Sequence, residues 1–214
     1  MTRALPALRL AFGLLLGVAL GFAGYHASTS ATGVPNFFSY FTNLSNMAAC
    51  VVLLVGTRTR VPDPVRGAVV LYMAITGLVY GLVLTKFHDS LMIPWVNHVV
   101  HQLMPLVVVA DWLADPPRRR LRYGQAAYWL VFPLAYLTYS LIRGAVLDWY
   151  PYPFLDPDHD GGGYERVAVA CLLITALFVG VGALIVKVGN VLVDRLGSGP
   201  RTAAEADRVR DLAP

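Results

Sequence analysis

From Leu10 to Thr57 the chain reads LAFGLLLGVALGFAGYHASTSATGVPNFFSYFTNLSNMAACVVLLVGT, 48 consecutive residues without an Asp, Glu, Lys or Arg. A water-soluble globule needs a polar face on each surface helix, and this run cannot supply one. The whole chain agrees. It is 57% hydrophobic and 14% charged, with a mean hydropathy of +0.58, whereas soluble domains carry about 25% charged residues. A soluble enzyme domain, a nucleic-acid binder and a disordered chain are excluded. The fold class is all-α, a polytopic membrane protein.

Outward from that run, six stretches are long and apolar enough to cross about 30 Å of hydrocarbon: roughly 8–26, 37–56, 65–86, 94–114, 124–147 and 165–194. Gly33-Val34-Pro35-Asn36, Pro62-Asp63-Pro64, Asp115-Pro116-Pro117 and Asp160-Gly161-Gly162-Gly163 supply breaks between them. The expected architecture is a six-transmembrane-helix bundle over residues 1–197, followed by a polar C-terminal tail, 198–214. No sustained period-two alternation supports a barrel.

The basic residues set the orientation. With both termini cytoplasmic, Arg3, Arg9, Arg58, Arg60, Arg66, the Arg118–Arg120 cluster with Arg122, Lys187, Arg195 and the tail arginines fall inside. Lys86, Arg143 and Arg166 fall outside, with Asp89, Asp148, Asp156, Asp158, Asp160 and Glu165. The sequence pI of about 9.2 is therefore a topology signal, and no nucleic-acid partner is expected. The expected location is the cell membrane, multi-pass, with the bilayer itself as partner; oligomeric state is not legible. The first apolar run is longer than a signal-peptide h-region, which favours a retained helix. Cys50 and Cys171 differ in expected depth by about 12 Å, too far for a disulfide.

Polar residues within the spans are the informative ones, because each costs energy unless paired or wet. Thr42, Ser45 and Asn46 share one face of the second span; Asn97, His98, His101 and Gln102 mark the fourth; Tyr136, Tyr139, Ser140 and Arg143 mark the fifth. At helical rise, Thr42 lies about 8 Å, His101 about 10 Å and Arg143 about 6 Å from the outer ends. One polar pocket in the outer half of the bilayer satisfies them together.

A hydroxyl beside an imidazole is the nucleophile–base pair of acyl transfer. Thr42 is thus a candidate nucleophile and His101 its base. Asn46, Asn97, His98 and Gln102 are candidates to orient the imidazole or stabilise an oxyanion. Tyr139 shares the polar stripe, and Arg143 is positioned to anchor a carboxylate or to snorkel toward Asp148. Each residue also has a packing reading: hydroxyls bond back to the i−4 carbonyl, and histidines bond between helices. His98 and His101 lack a nearby carboxylate, and histidines on a single helix do not make a haem site. No metal and no cofactor are expected. Asp156-Pro157-Asp158-His159-Asp160-Gly161 looks like a calcium loop, but Val167 stands at its twelfth position instead of Glu.

Tyr40-Phe41-Thr42, Asn97-His98-Val99-Val100-His101 followed by Leu103-Met104-Pro105, and Trp149-Tyr150-Pro151-Tyr152-Pro153-Phe154-Leu155 resemble signatures of the androgen-induced / androgen-dependent TFPI-regulating protein family. The resemblance covers roughly residues 36–190 and is nearest to the family's uncharacterised bacterial six-helix relatives. It implies an atypical intramembrane threonine hydrolase of fatty acid esters, with Thr42 as nucleophile and His101 as catalytic histidine. The short loop between the second and third spans, and the polar Asn43-Leu44-Ser45-Asn46, depart from the animal pattern. The leading expectation is a lipid (fatty-acyl) ester hydrolase. The alternatives are a non-enzymatic lipid-binding, regulatory or scaffold protein and, fitting less well for want of repeats and broken helices, a small-solute transporter.

Overall fold

The computed structural model of the chain describes residues 4–30, 33–83 and 93–197; among these every regular element is helical. In chain order they are α1 (Ala4–Thr29), α2 (Gly33–Phe38), α3 (Phe41–Val55), α4 (Asp63–Leu82), α5 (Pro94–His98), α6 (Met104–Ala114), α7 (Tyr123–Ala127), α8 (Val131–Leu147) and α9 (Gly163–Gly197). A π-helical turn, Val99–Leu103, joins α5 to α6, and a 3-10 turn, Tyr128–Leu130, joins α7 to α8. Four helical segments are long and apolar enough to cross a membrane: Ala4–Thr29, Asp63–Leu82, Tyr123–Leu147 and Gly163–Leu196. Lys86, Asp89, the last residues of the expected third span and the 198–214 tail lie outside the described residues.

The remaining two expected spans are helical but irregular. The stretch 37–56, expected as one helix, is broken at Ser39 and Tyr40 into α2 and the 15-residue α3. The stretch 94–114 keeps its bounds but widens at Val99–Leu103. Pro105 explains the widening. It has no N–H, and in α-helical register its ring would strike the carbonyl four residues back. A π turn relieves that conflict, and the Met104 N–H bonds to Val99 O. In that register Val100 O would take its hydrogen from residue 105, which has none to give. Asn46 Nδ2 of α3 supplies one instead, at 3.1 Å. Gly77 of α4 leaves room for Pro105 and the His101 carbonyl, because an added Cβ would sit 3.0 Å from the Pro105 ring.

α4 forms the centre, packed on α3, α6 and α9, while α1 lies along α3 and touches α6. Leu16, Leu71, Met73, Met104 and Val186 are fully buried there. Phe41 is the hub of an aromatic cluster, with Tyr72, Phe132, Tyr136 and Phe178 at 5.2–6.0 Å between ring centroids. The outer faces are apolar as well: Leu14, Val18, Ile142, Val146, Leu172 and Leu173 are each more than half exposed. Apolar surface on both the inside and the outside is what a lipid surround requires.

One end of the bundle is held by charge. Arg9 grips Asp111 with Nε at 2.6 Å and Nη2 at 3.0 Å, and reaches Asp115 at 2.8 Å. Arg60 bonds Asp115 and Asp63, both at 2.8 Å, and the Pro116 carbonyl. Arg66 meets Asp111 at 3.2 Å and stacks over Trp112. Burial pushes the Asp115 carboxyl up, but the hydrogen bonds from Arg9 and Arg60 and the nearby Arg66 charge outweigh it. Its pKa lies below the usual carboxylate range. Three of the arginines that served as topology signals are thus structural ties between α1, α4 and α6.

Candidate functional site

The opposite end is built around the break at Ser39 and Tyr40. Interrupting a helix orphans carbonyls on one side and N–H groups on the other, and in a dry setting each needs a partner. Here side chains supply them. Asn43 Nδ2 donates to Phe37 O at 2.8 Å, Tyr136 OH to Ser39 O at 2.8 Å, and Ser39 Oγ to Pro35 O at 2.8 Å. Ser39 Oγ has then given its hydrogen, so Tyr139 OH is the donor in the 2.9 Å contact between them. On the other side, the Thr42 N–H donates to Tyr152 OH at 3.3 Å, and Thr42 Oγ1 lies 3.4 Å from the same phenol. Tyr152 therefore caps α3.

Tyr152 comes from the loop between α8 and α9, outside the expected spans, yet it is 9% exposed. The loop folds inward because its rings have places to go. Tyr152 stacks on Phe154 and meets Tyr40 edge-on. Tyr150 lies against Gly144, where any Cβ would collide with its ring. Leu155 is buried, and Arg166 Nη2 anchors the loop through Asp156 O at 2.6 Å and Pro153 O at 3.3 Å. Sequence reasoning did not single out Tyr152 as a site residue. The aromatic–proline alternation of Trp149–Leu155 was its only signal.

Beneath the loop lies a partly open cavity of about 90 Å³. α3 contributes Phe41 and Thr42; α4 gives Ile75, Thr76 and Val79; α8 gives Pro133, Leu134, Tyr136 and Leu137; α9 gives Cys171, Ile174, Thr175 and Phe178. Tyr152, Phe154 and Leu155 of the loop also line it. Leu134, which lines the cavity, is also half exposed on the outer surface of the bundle.

The expected site residues divide into three groups. Thr42 borders the cavity, and Asn46 ties it to the π turn by donating to both Thr42 O at 2.9 Å and Val100 O at 3.1 Å. His101 is buried in the π turn, stacked on Tyr80 at 4.4 Å. Its Nδ1 lies 3.3 Å from Asn97 O. A carbonyl only accepts, so Nδ1 carries the proton and Nε2 the lone pair. Asn97 Nδ2 donates to Tyr80 OH at 2.6 Å. Among the described residues no hydrogen bond links His101 to Thr42, and His101 does not line the cavity.

The third group points elsewhere. His98 and Gln102 bond each other at 3.2 Å on an exposed face. They sit one residue beyond Asn97 and His101, a rotation that turns them out of the bundle. Arg143 does not reach Asp148; its Nη2 bonds Asn36 Oδ1 at 2.7 Å, and the guanidinium lies 4.6 Å over Trp149. Tyr139 serves Ser39, away from Thr42. Both cysteines are free thiols. In the acidic loop, Asp156 Oδ1 takes the Asp158 N–H and Asp156 O is held by Arg166. Among the described residues no three His, Cys, Asp or Glu side chains gather as a metal set.

No family model, curated protein or solved structure matches this chain.

Proposed function

We propose that the chain is a six-crossing integral membrane protein, with both termini cytoplasmic, that draws the end of a lipid chain out of the bilayer into the cavity beneath Tyr152. The observation that carries this reading is the cavity itself: mostly apolar walls, a half-exposed Leu134 among them, and the hydroxyl groups of Thr42, Thr76 and Tyr152 in its lining. Small-molecule sites have this form, apolar with a few placed polar groups. At about 90 Å³ it is smaller than the roughly 150 Å³ cavity that admits benzene. Only the head and a few carbons fit inside; the rest of the chain lies among lipids.

Hydrolysis of a lipid ester is the second reading. Thr42 stands at the cavity, Asn46 fastens it to the turn that holds His101, and His101 presents Nε2 as its acceptor nitrogen. Catalysis then needs Thr42 Oγ1 to leave Tyr152 and engage that nitrogen. The transporter reading gains a broken helix in α2–α3, but no internal repeat accompanies it.

The test is photolabelling of purified protein in lipid nanodiscs with a diazirine-bearing alkyl chain. Labelling should fall on Thr175, Ile174 or Leu137 and disappear in Leu137→Trp, which fills the space. Labelling that ignores Leu137→Trp would end the chain-binding reading. Turnover of a long-chain nitrophenyl ester, lost in Thr42→Val and His101→Ala but kept in His98→Ala, would establish the hydrolase; wild-type protein without turnover leaves a binding protein.

A further inference from the structure

The cavity's lining carries information about the head it receives. Among the described residues that line it, none is charged. An ionised carboxylate or phosphate taken from water into such a site, without a partner, costs several kcal/mol. Arg143, the nearest candidate counterion by sequence, bonds Asn36 through Nη2 and lies over Trp149; its Nη1 is buried without a partner among the described residues, but the side chain does not border the cavity.

Hydrogen-bond capacity, by contrast, is present and uncommitted. Thr76 lies on α4, is 5% exposed, lines the cavity, and its Oγ1 has no partner among the described residues. A threonine in a helix ordinarily returns its hydroxyl to the i−4 carbonyl, and this one does not. Thr42 and Tyr152 share one O···O contact of 3.4 Å, which uses at most one of their two hydroxyl hydrogens, while Tyr152 also bonds the Tyr136 hydroxyl. Tyr136, also at the cavity, gives its hydrogen to Ser39 O.

We propose that the cavity receives the head of an uncharged single-chain lipid bearing a carbonyl or hydroxyl oxygen, held by Thr76 on α4 and by the Thr42–Tyr152 pair. The proposal rests on the chain-binding reading and adds the head's chemistry and Thr76 as a binding residue. A neutral acceptor needs one or two donors and no counterion, which is what the walls offer. An anionic lipid would leave its charge unpaired.

Two photoreactive probes of equal chain length separate the cases in nanodiscs: a methyl ester and an alkyl sulfonate that stays ionised. The ester should label the cavity about tenfold more efficiently, and Thr76→Val should remove most of that advantage, on the scale of one hydrogen bond. Thr76→Ser, which restores the hydroxyl, should recover it. Equal labelling by the sulfonate, or an ester signal untouched by Thr76→Val, overturns the proposal. If Leu137→Trp still abolishes both signals in that case, chain binding stands and only the head assignment fails. If neither probe labels the wild-type cavity, both fail together.

Discussion

At one end of the bundle Arg9, Arg60 and Arg66 meet Asp63, Asp111 and Asp115; at the other, Thr42, Ser39 and three tyrosines meet a broken helix. The charged end is balanced three against three, and each carboxylate has more than one guanidinium within 4 Å. The hydroxyl end is not saturated in this way. Ser45 Oγ, Asn46 Oδ1 and Thr76 Oγ1 are buried there without a partner among the described residues, as are Arg66 Nη1 and Trp112 Nε1 at the charged end. Buried polar atoms with no partner are costly, and native proteins keep few of them. Both ends keep unpaired atoms, but among these only Thr76 Oγ1 at the hydroxyl end belongs to a cavity-lining residue.

The largest expected effect breaks the fastened end. Asp111→Ala leaves Arg9 and Arg66 buried without their shared carboxylate, and removing one partner of a buried pair costs about 3–5 kcal/mol. Thr42→Val, which removes a long 3.4 Å contact, should cost about 1 kcal/mol. Thermal unfolding in detergent compares the two. If Asp111→Ala shifts the midpoint no more than Thr42→Val does, the charged network is not the clamp described above.

A smaller effect tests the tie between α3 and the π turn at the hydroxyl end. Asn46 donates to Val100 O because Pro105 does not. Asn46→Leu strands that carbonyl and should cost about 1–3 kcal/mol. Pro105→Ala puts an N–H back at the position the π register needs. Combined with Asn46→Leu it should therefore recover part of the loss. A double-mutant cycle reads this as a coupling energy; strictly additive losses would mean that Asn46 serves Val100 in no way the proline requires.

These features differ in how legible they were from sequence. The four long helices followed from hydropathy, because a span's length and apolarity are local properties. The break at Ser39 and Tyr40 did not. Its orphaned groups are satisfied by Tyr136 and Tyr152, about a hundred residues away in the chain, and no local pattern announces such partners. The π turn had a signal in Pro105, read only as part of a family signature. Asp63 and Asp115 were legible only as breaks between spans, and Asp111 only as a lone acid near the end of an apolar run. The arginine partners of Asp111 and Asp115, namely Arg9, Arg60 and Arg66, lie 45 or more residues away. The site was half legible: Thr42, Asn46 and His101 are buried at one end as depth implied, yet depth alone cannot tell which hydroxyl faces which ring. His98 and Gln102 share that depth and face outward.

The smallest expected effect sharpens the contrast within the hydroxyl end. Ser39 and Ser45 are both buried serines, at 1% and 0% exposure. Ser39 Oγ gives a hydrogen to Pro35 O and accepts one from Tyr139, so Ser39→Ala should cost about 1–2 kcal/mol. Ser45 Oγ has no partner among the described residues, and replacing an unsatisfied hydroxyl by a methyl group relieves its desolvation. Ser45→Ala should then be within about 0.5 kcal/mol of wild type, or stabilising. The unfolding midpoints of the two variants, compared with and without a bound long-chain ester, carry the argument further. A loss for Ser45→Ala as large as that for Ser39→Ala would mean that the Ser45 hydroxyl is as fully paired as that of Ser39, and the spare hydrogen-bonding capacity at this end would not exist.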